Sequence, residues 1–290
     1  MAAMDVSSQK ILRRADLSAD LSRLGLPPGG LVMVHSSLRS IGQVEGGAET
    51  VVDALLAALG PEGTLVVPTF SDEIAARYNG FVFDVAQTPS YVGAITEAAR
   101  TRPQARRSHH PWHSVAALGP LAETLISAAC DSAWRPGSPM SQIVDRGGMI
   151  LLLGVPYQRL TLAHWCEFHV EVPYRPEMTI QVPIRRPDGS IVTIVDHECP
   201  PDPGTPDRDY NRLGNAMERT GVVRIGAVGN AVGRLFFGRD ARDTAIELYR
   251  EDKQAFLVQG DQHEVLAEGH TVETAKGTYC VYDPGLLEAP

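Results

Sequence analysis

The sequence predicts an α/β protein with a mixed central sheet, flanking helices and an inserted β-hairpin region. Three observations carry that expectation. Apolar runs of strand length at 31–35, 64–68 and 150–155 are separated by stretches of helical length and periodicity. Between the first two runs lie a polar loop, 36–47, and a helical segment, 48–59, closed by Gly60-Pro61-Glu62-Gly63; strand, loop, helix and strand in that order build parallel sheets. Finally, Pro187-Asp188-Gly189-Ser190 joins 181–184 to 191–195 as a hairpin.

The remaining elements follow in order. An amphipathic helix ends near Leu24-Gly25, where Leu26-Pro27-Pro28-Gly29-Gly30 cannot continue it. A long loop with Asn79-Gly80 precedes a helix at 91–100 and a strand at 114–118. After a Pro- and Gly-rich stretch at 135–139 comes the strand 150–155, with a helix at 160–170 behind it. A loop at 200–206 leads to helices at 209–219 and 240–252. No internal repeat divides the chain, so 1–290 reads as one domain. Its tail, 261–290, is too apolar for a disordered tag, and Val265, Leu266, Tyr279, Val281 and Tyr282 make it an added hairpin.

Composition narrows the function. With 43% hydrophobic residues in 290, the chain can bury a sizeable core. Its longest apolar stretch, 149–155, is far short of the roughly 20 residues of a membrane span, and 1–14 has no signal-peptide core. Cys130, Cys166, Cys199 and Cys280 stand singly, without a C-x-x-C pair, which fits a reducing cytoplasm. The net charge of -9 repels nucleic acid and anionic membranes and attracts cations.

Four constellations have chemical meaning. Val34-His35-Ser36-Ser37-Leu38-Arg39-Ser40-Ile41-Gly42 lies where a strand ends and a helix begins, where backbone N–H groups and hydroxyls can cradle phosphates and Arg39 can add charge. A polar connecting loop with a buried His35 fits the same residues. His164 and Glu167, three apart on a helix, share a face; the carboxylate would hold the imidazole in one orientation, as in a general base, although a structural histidine beside a solvated glutamate has the same spacing. Cys166 lies about 200° around the helix from His164, which argues against a cysteine nucleophile.

Arg106-Arg107-Ser108-His109-His110-Pro111-Trp112-His113 offers zinc-type ligands, with His109 and His113 at i, i+4 and His164, Cys166 and His169 elsewhere. Pro111 breaks that helical pairing and no H-E-x-x-H pattern exists, so no metal is expected. Asp72-Glu73, Asp84, Asp202, Asp207 and Asp209 are loop carboxylates, either solvated turn residues or a grip for ammonium groups.

These residues, taken in order, resemble the aminoglycoside 3-N-acetyltransferases, the antibiotic N-acetyltransferase family. The likeness runs through the 34–42 segment, Gly63-Thr64-Leu65-Val66-Val67-Pro68-Thr69-Phe70-Ser71, Phe83-Asp84, Thr88-Pro89-Ser90, Arg107-Ser108-His109-His110-Pro111 and Ser138-Pro139. It continues through Leu152-Leu153-Gly154-Val155, Thr161-Leu162-Ala163-His164 with Glu167, Asp209-Tyr210-Asn211-Arg212-Leu213-Gly214 and Gly226-Ala227-Val228-Gly229-Asn230-Ala231. It covers about 11–257 and departs at Val85, where the family's turn commonly carries proline.

The resemblance implies an antibiotic N-acetyltransferase-like fold, not the GNAT fold. Gln43-Val44-Glu45-Gly46-Gly47-Ala48 matches the GNAT pattern Q-x-x-G-x-A, but begins eight residues beyond the strand. It further implies acetyl-CoA as co-substrate, held by His35, Ser36, Ser37, Leu38, Arg39, Thr69, Phe70, Ser108 and His110. Asp72, Glu73, Asp84 and Asp209 would face the aminoglycoside, a polycationic small molecule, and His164 with Glu167 would be base and partner. The expected reaction is acetylation of its 3-amino group by a monomer or homodimer, with antibiotic resistance as consequence. A metal-dependent amidohydrolase and a catalytically silent relative that binds CoA or a cation are the alternatives.

Overall fold

The computed structural model describes residues 11–71, 81–127 and 132–258, and the backbone of 270–274 and 277–281. In chain order the first elements are α1 (Arg14–Leu24), β1 (Leu31–Ser36), α2 (Leu38–Ile41), α3 (Gly47–Leu59) and β2 (Thr64–Pro68). They are followed by β3 (Phe83–Asp84), α4 (Ala94–Arg100), β4 (Arg106–Arg107), β5 (Val115–Leu118), α5 (Ala122–Ser127), α6 (Pro139–Asp145) and β6 (Met149–Leu153). A 3₁₀ turn at Tyr157–Arg159 then leads to α7 (Leu162–His169), β7 (Met178–Arg185), β8 (Ile191–Glu198) and α8 (Asn211–Arg219). The chain continues with β9 (Arg224–Val228), β10 (Ala231–Phe237), α9 (Gly238–Glu251), β11 (His270–Thr274) and β12 (Gly277–Val281).

Seven strands form the central sheet in the order β4-β5-β2-β1-β6-β10-β9. β1 is parallel to both β2 and β6, with His35 opposite Leu152 and Ser36 opposite Leu153. The outer pairings are antiparallel, so the sheet is mixed as expected. Its centre is apolar on both faces because side chains alternate along each strand. Met33, Ile150 and Leu152 face a core shared with Leu162, Cys166, Leu213 and Ala241. Val32, Val34, Leu151 and Leu153 face the other, with Leu17, Leu21, Val52 and Leu55. Each Val, Leu, Ile or Met so buried stabilises the fold by about 1.5–3 kcal/mol through the area it removes from water.

Element ends follow local chemistry. α1 stops at Gly25, whose φ of 94° lets its N–H reach the last carbonyls of the helix. The helix expected at 91–100 starts only at Ala94, because Gly93 at φ 136° precedes it. The expected hairpin is longer than its alternating pattern suggested, with Met178 opposite Glu198 and Arg185 opposite Ile191. β7 also takes β3 as a parallel neighbour, forming a small second sheet. That extension carries Asp196 and Glu198 toward the large sheet.

The β9–β10 hairpin was not anticipated. Val228 pairs with Ala231 across the two-residue turn Gly229-Asn230, with Gly229 at φ 59°. The turn chemistry was present in the sequence, but the adjoining segments carry glycines where a strand pattern expects side chains. In the tail, β11 and β12 pair antiparallel, in line with an added hairpin; Val265, Leu266 and Tyr282 lie outside the described residues. Among the described residues, no helix is long and apolar enough to cross a membrane.

Candidate active site

The parallel strands β1 and β6 deliver their C-terminal ends to one edge of the sheet, and a cavity of about 570 Å³ opens there. That is where ligands of α/β proteins bind, because the loops diverge as they leave the sheet. His35 and Ser36 from β1, Phe70 after β2, Tyr91 and Thr96 around the start of α4, and His164 from α7 are among its lining residues.

His164 is the cavity's most connected titratable group. Its Nδ1 lies 2.6 Å from the Tyr210 hydroxyl, 2.5 Å from Arg175 Nη1 and 3.3 Å from Glu167 Oε2. Glu167 is fully buried and receives three donors: Tyr210 Oη and Arg175 Nη1 at Oε2, 2.7 and 2.6 Å away, and Tyr174 Oη at Oε1, 2.9 Å away. Burial alone would raise the Glu167 carboxyl. The hydrogen bonds and charges of His164, Arg175 and Tyr210 outweigh it and hold the group at about 2.

The His164 ring, with 30% of its side chain exposed, is pushed down to about 4, first by desolvation and then by the Arg175 charge, against the pull of Glu167. It is therefore neutral at neutral pH and able to accept a proton. Cys166 points into the core at 0% exposure, and burial raises its thiol well above the ordinary value, which leaves it unsuited to attack.

Other residues singled out from the sequence are spread more widely. Ser37 accepts from Ser40 N and starts α2, Leu38 packs against the core and Arg39 is exposed; none of the three lines the cavity. Thr69 Oγ1 accepts from Arg107 Nε at 3.2 Å, and Ser108 Oγ from Val115 N at 3.0 Å, so both hydroxyls tie strands together. Asp84 Oδ1 accepts from Ala86 N and Gln87 N and organises its own turn. Asp209 is buried and accepts from Asn211 N at 3.1 Å, beside the start of α8. Its neighbour Tyr210 is what reaches His164. Asp72 and Glu73 lie outside the described residues.

Arg175 and Tyr174 carry no sequence signal, and Tyr210, although it lies in the 209–214 motif, has no role assigned by it. The first two sit on the turn after α7, and the third is brought in from 46 positions downstream of His164.

A second cluster adjoins the first. Ligand atoms of His110, His113 and Glu198 lie within 4.8 Å of one another. His113 Nδ1 is 3.1 Å from Glu198 Oε1, and Trp134 Nε1 donates to Glu198 Oε2 at 3.3 Å. His109, the expected i, i+4 partner of His113, is exposed. The donor set fits a metal poorly. His113 N donates to His110 Nδ1 at 2.9 Å, so that nitrogen carries no proton and a neutral ring bears it on Nε2, the atom that faces Asp196 and Glu198. A protonated nitrogen is a hydrogen-bond donor and not a ligand. The Trp134 indole separates the clusters, its centroid 4.8 Å from His113 and 5.8 Å from His164.

Comparison with known proteins identifies the chain's family. The family model described as aminoglycoside 3-N-acetyltransferase matches residues 33–250. Aminoglycoside N(3)-acetyltransferase III of Serratia marcescens is 34% identical over 248 residues, 77% of this chain and 92% of that protein. The solved structure of AAC-IIIb as a binary complex with CoASH superposes with a TM-score of 0.74 at 26% identity, covering 87% of this chain and 100% of that one. AAC-VIa bound to sisomicin gives 0.71 at 28% identity, covering 82% and 97%. The chain belongs to the aminoglycoside 3-N-acetyltransferase family: it is an N-acetyltransferase whose co-substrate is acetyl-CoA.

Proposed function

We propose that the chain moves the acetyl group of acetyl-CoA to the 3-amino group of an aminoglycoside by direct attack, with His164 as general base and Glu167 as its anchor. The observation that carries this reading is the His164 imidazole at the cavity wall with its Nδ1 3.3 Å from the carboxylate of the fully buried Glu167. An ammonium nitrogen has no lone pair; it must lose a proton before or during attack on the thioester carbon. His164 accepts that proton, and its new positive charge is compensated by Glu167. The nitrogen–carbon bond forms, the carbon–sulfur bond breaks, and the second proton that the nitrogen sheds on becoming an amide neutralises the departing CoA thiolate.

His35, Ser36 and Phe70 line the same cavity, which supports their contact with the acyl donor. An AAC-VIa structure holds sisomicin and an AAC-IIIb structure holds CoASH, which supports these two ligand classes here.

Incubation of the full chain with acetyl-CoA and a panel of sisomicin, gentamicin and apramycin, read as free thiol release, tests the reading. Thiol release that depends on the aminoglycoside, with a product acetylated at the 3-amino group by NMR, is expected. Thiol release equal to the aminoglycoside-free background for the whole panel overturns it.

A further inference from the structure

Given the reading of the cavity as the acyl donor's, we infer that Arg159 is a specificity-determining residue for that donor: its guanidinium pairs with a phosphate of CoA at the mouth of the cavity, beside the start of α7.

The charge of the cavity wall sets the class of ligand. Among the described residues neither aspartate nor glutamate lines it, and Arg159 is its one permanent cation. A polycation finds no counter-charge on such a wall, whereas an anion does. Arg159 is exposed, and among the described residues its side chain has no ion-pair or hydrogen-bond partner. Arg175, by contrast, gives its charge to Glu167. The carboxylates near His164 are Glu167, buried beneath it, and Glu198, beyond Trp134; neither lines the cavity.

The backbone adds to the pull on an anion. α7 begins at Leu162 without a side-chain cap, and its N-cap residue Thr161 lines the cavity, so the positive end of the helix faces it. Arg159 stands just before that end, and the two positive groups repel each other until an anion joins them. The 3₁₀ turn that carries Arg159 is fixed, since the Tyr157 hydroxyl donates to Glu218 at 2.8 Å and Gln158 Oε1 accepts from Tyr210 N at 2.6 Å.

An independent sign of a ligand lies on β1. His35, 5% exposed, and Ser36 line the same cavity, and His35 Nε2 and Ser36 Oγ are buried without a hydrogen-bond partner among the described residues. Buried polar atoms are rarely left so, and the amides of a pantetheine arm supply what they lack. Phe70, Val92 and Val155 make another part of the wall apolar, which suits the methylenes of that arm.

The test is calorimetric titration of the full chain at low salt with CoA, dephospho-CoA and pantetheine, wild type against Arg159→Gln, with thermal melting to confirm folding. The Kd for CoA is expected to rise about three- to ten-fold in Arg159→Gln, the share of one exposed charge-assisted contact, while that for pantetheine is the same in both proteins. Dephospho-CoA tells which phosphate is held: a loss equal to that of CoA assigns the pyrophosphate, and no loss assigns the 3′-phosphate. Equal CoA affinity in the two proteins overturns the inference, as does an equal loss for pantetheine. Phe70→Ala separates this from a failure of the cavity reading. CoA binding weakened there but equal in Arg159→Gln removes Arg159 alone, whereas CoA binding unchanged in both variants removes the cavity as the donor's site.

Discussion

Gly214 in α8 has no room for a side chain, because the Tyr157 ring occupies the place that a Cβ would take. A methyl there would lie 2.0 Å from ring carbon Cδ2 and 2.1 Å from Cγ. Tyr157 cannot withdraw easily, since its hydroxyl donates to the buried Glu218 at 2.8 Å. Gly214→Ala should therefore destabilise the fold by about 1–3 kcal/mol through overpacking, despite alanine's better helix propensity. Urea unfolding measures it, and a stability equal to or above wild type would show that the contact relaxes freely.

His164→Ala should lower turnover by about 10²- to 10⁴-fold, the usual share of a general base, with little change in acetyl-CoA binding. Steady-state kinetics with a fluorescence titration of CoA separates the two. Loss of CoA binding equal to the loss of turnover would reassign the ring to cofactor contact.

Arg175→Met should move the acid limb of the kcat/KM profile to higher pH. Burial is the larger cause of the low His164 pKa, and the Arg175 charge adds to it; removing that charge lets the ring protonate more readily. A base works only when unprotonated, so the variant should lose activity at a pH where wild type retains it. An acid limb at or below its wild-type position would contradict this electrostatic role.

Stability should fall on acidification, partly because of His35. Burial lowers its pKa from 6.5 to about 4, so between those values the unfolded chain binds a proton that the folded chain refuses. Stability from this group is complete above about pH 6.5 and declines as pH drops toward 4, by about 3 kcal/mol in all. His35→Gln should flatten that part of the curve of unfolding free energy against pH. An unchanged slope would mean that the folded protein admits the charge.

The chain's local chemistry reaches a long way here. Apolar runs at β1, β2 and β6 are strands because they are short, apolar and bounded by Gly, Pro or polar loops, and all three observations are contained in a few residues. The i, i+3 spacing of His164 and Glu167 is of the same kind: a helix alone puts both on one face, and the two side chains do lie within 3.3 Å.

What that spacing could not contain is the company the pair keeps. Arg175 folds back on the turn after α7, while Tyr210 from the start of α8 and Trp134 from a Pro- and Gly-rich connection reach His164 through packing between segments distant in sequence. Periodicity describes one element at a time, whereas a proton's position depends on every donor and acceptor within about 3 Å of a nitrogen. The expected loop carboxylates illustrate the same limit. Asp84 and Asp209 satisfy neighbouring backbone N–H groups, a use settled by turn geometry, while the buried acids Asp196 and Glu198 come to the site's flank by the register of a hairpin.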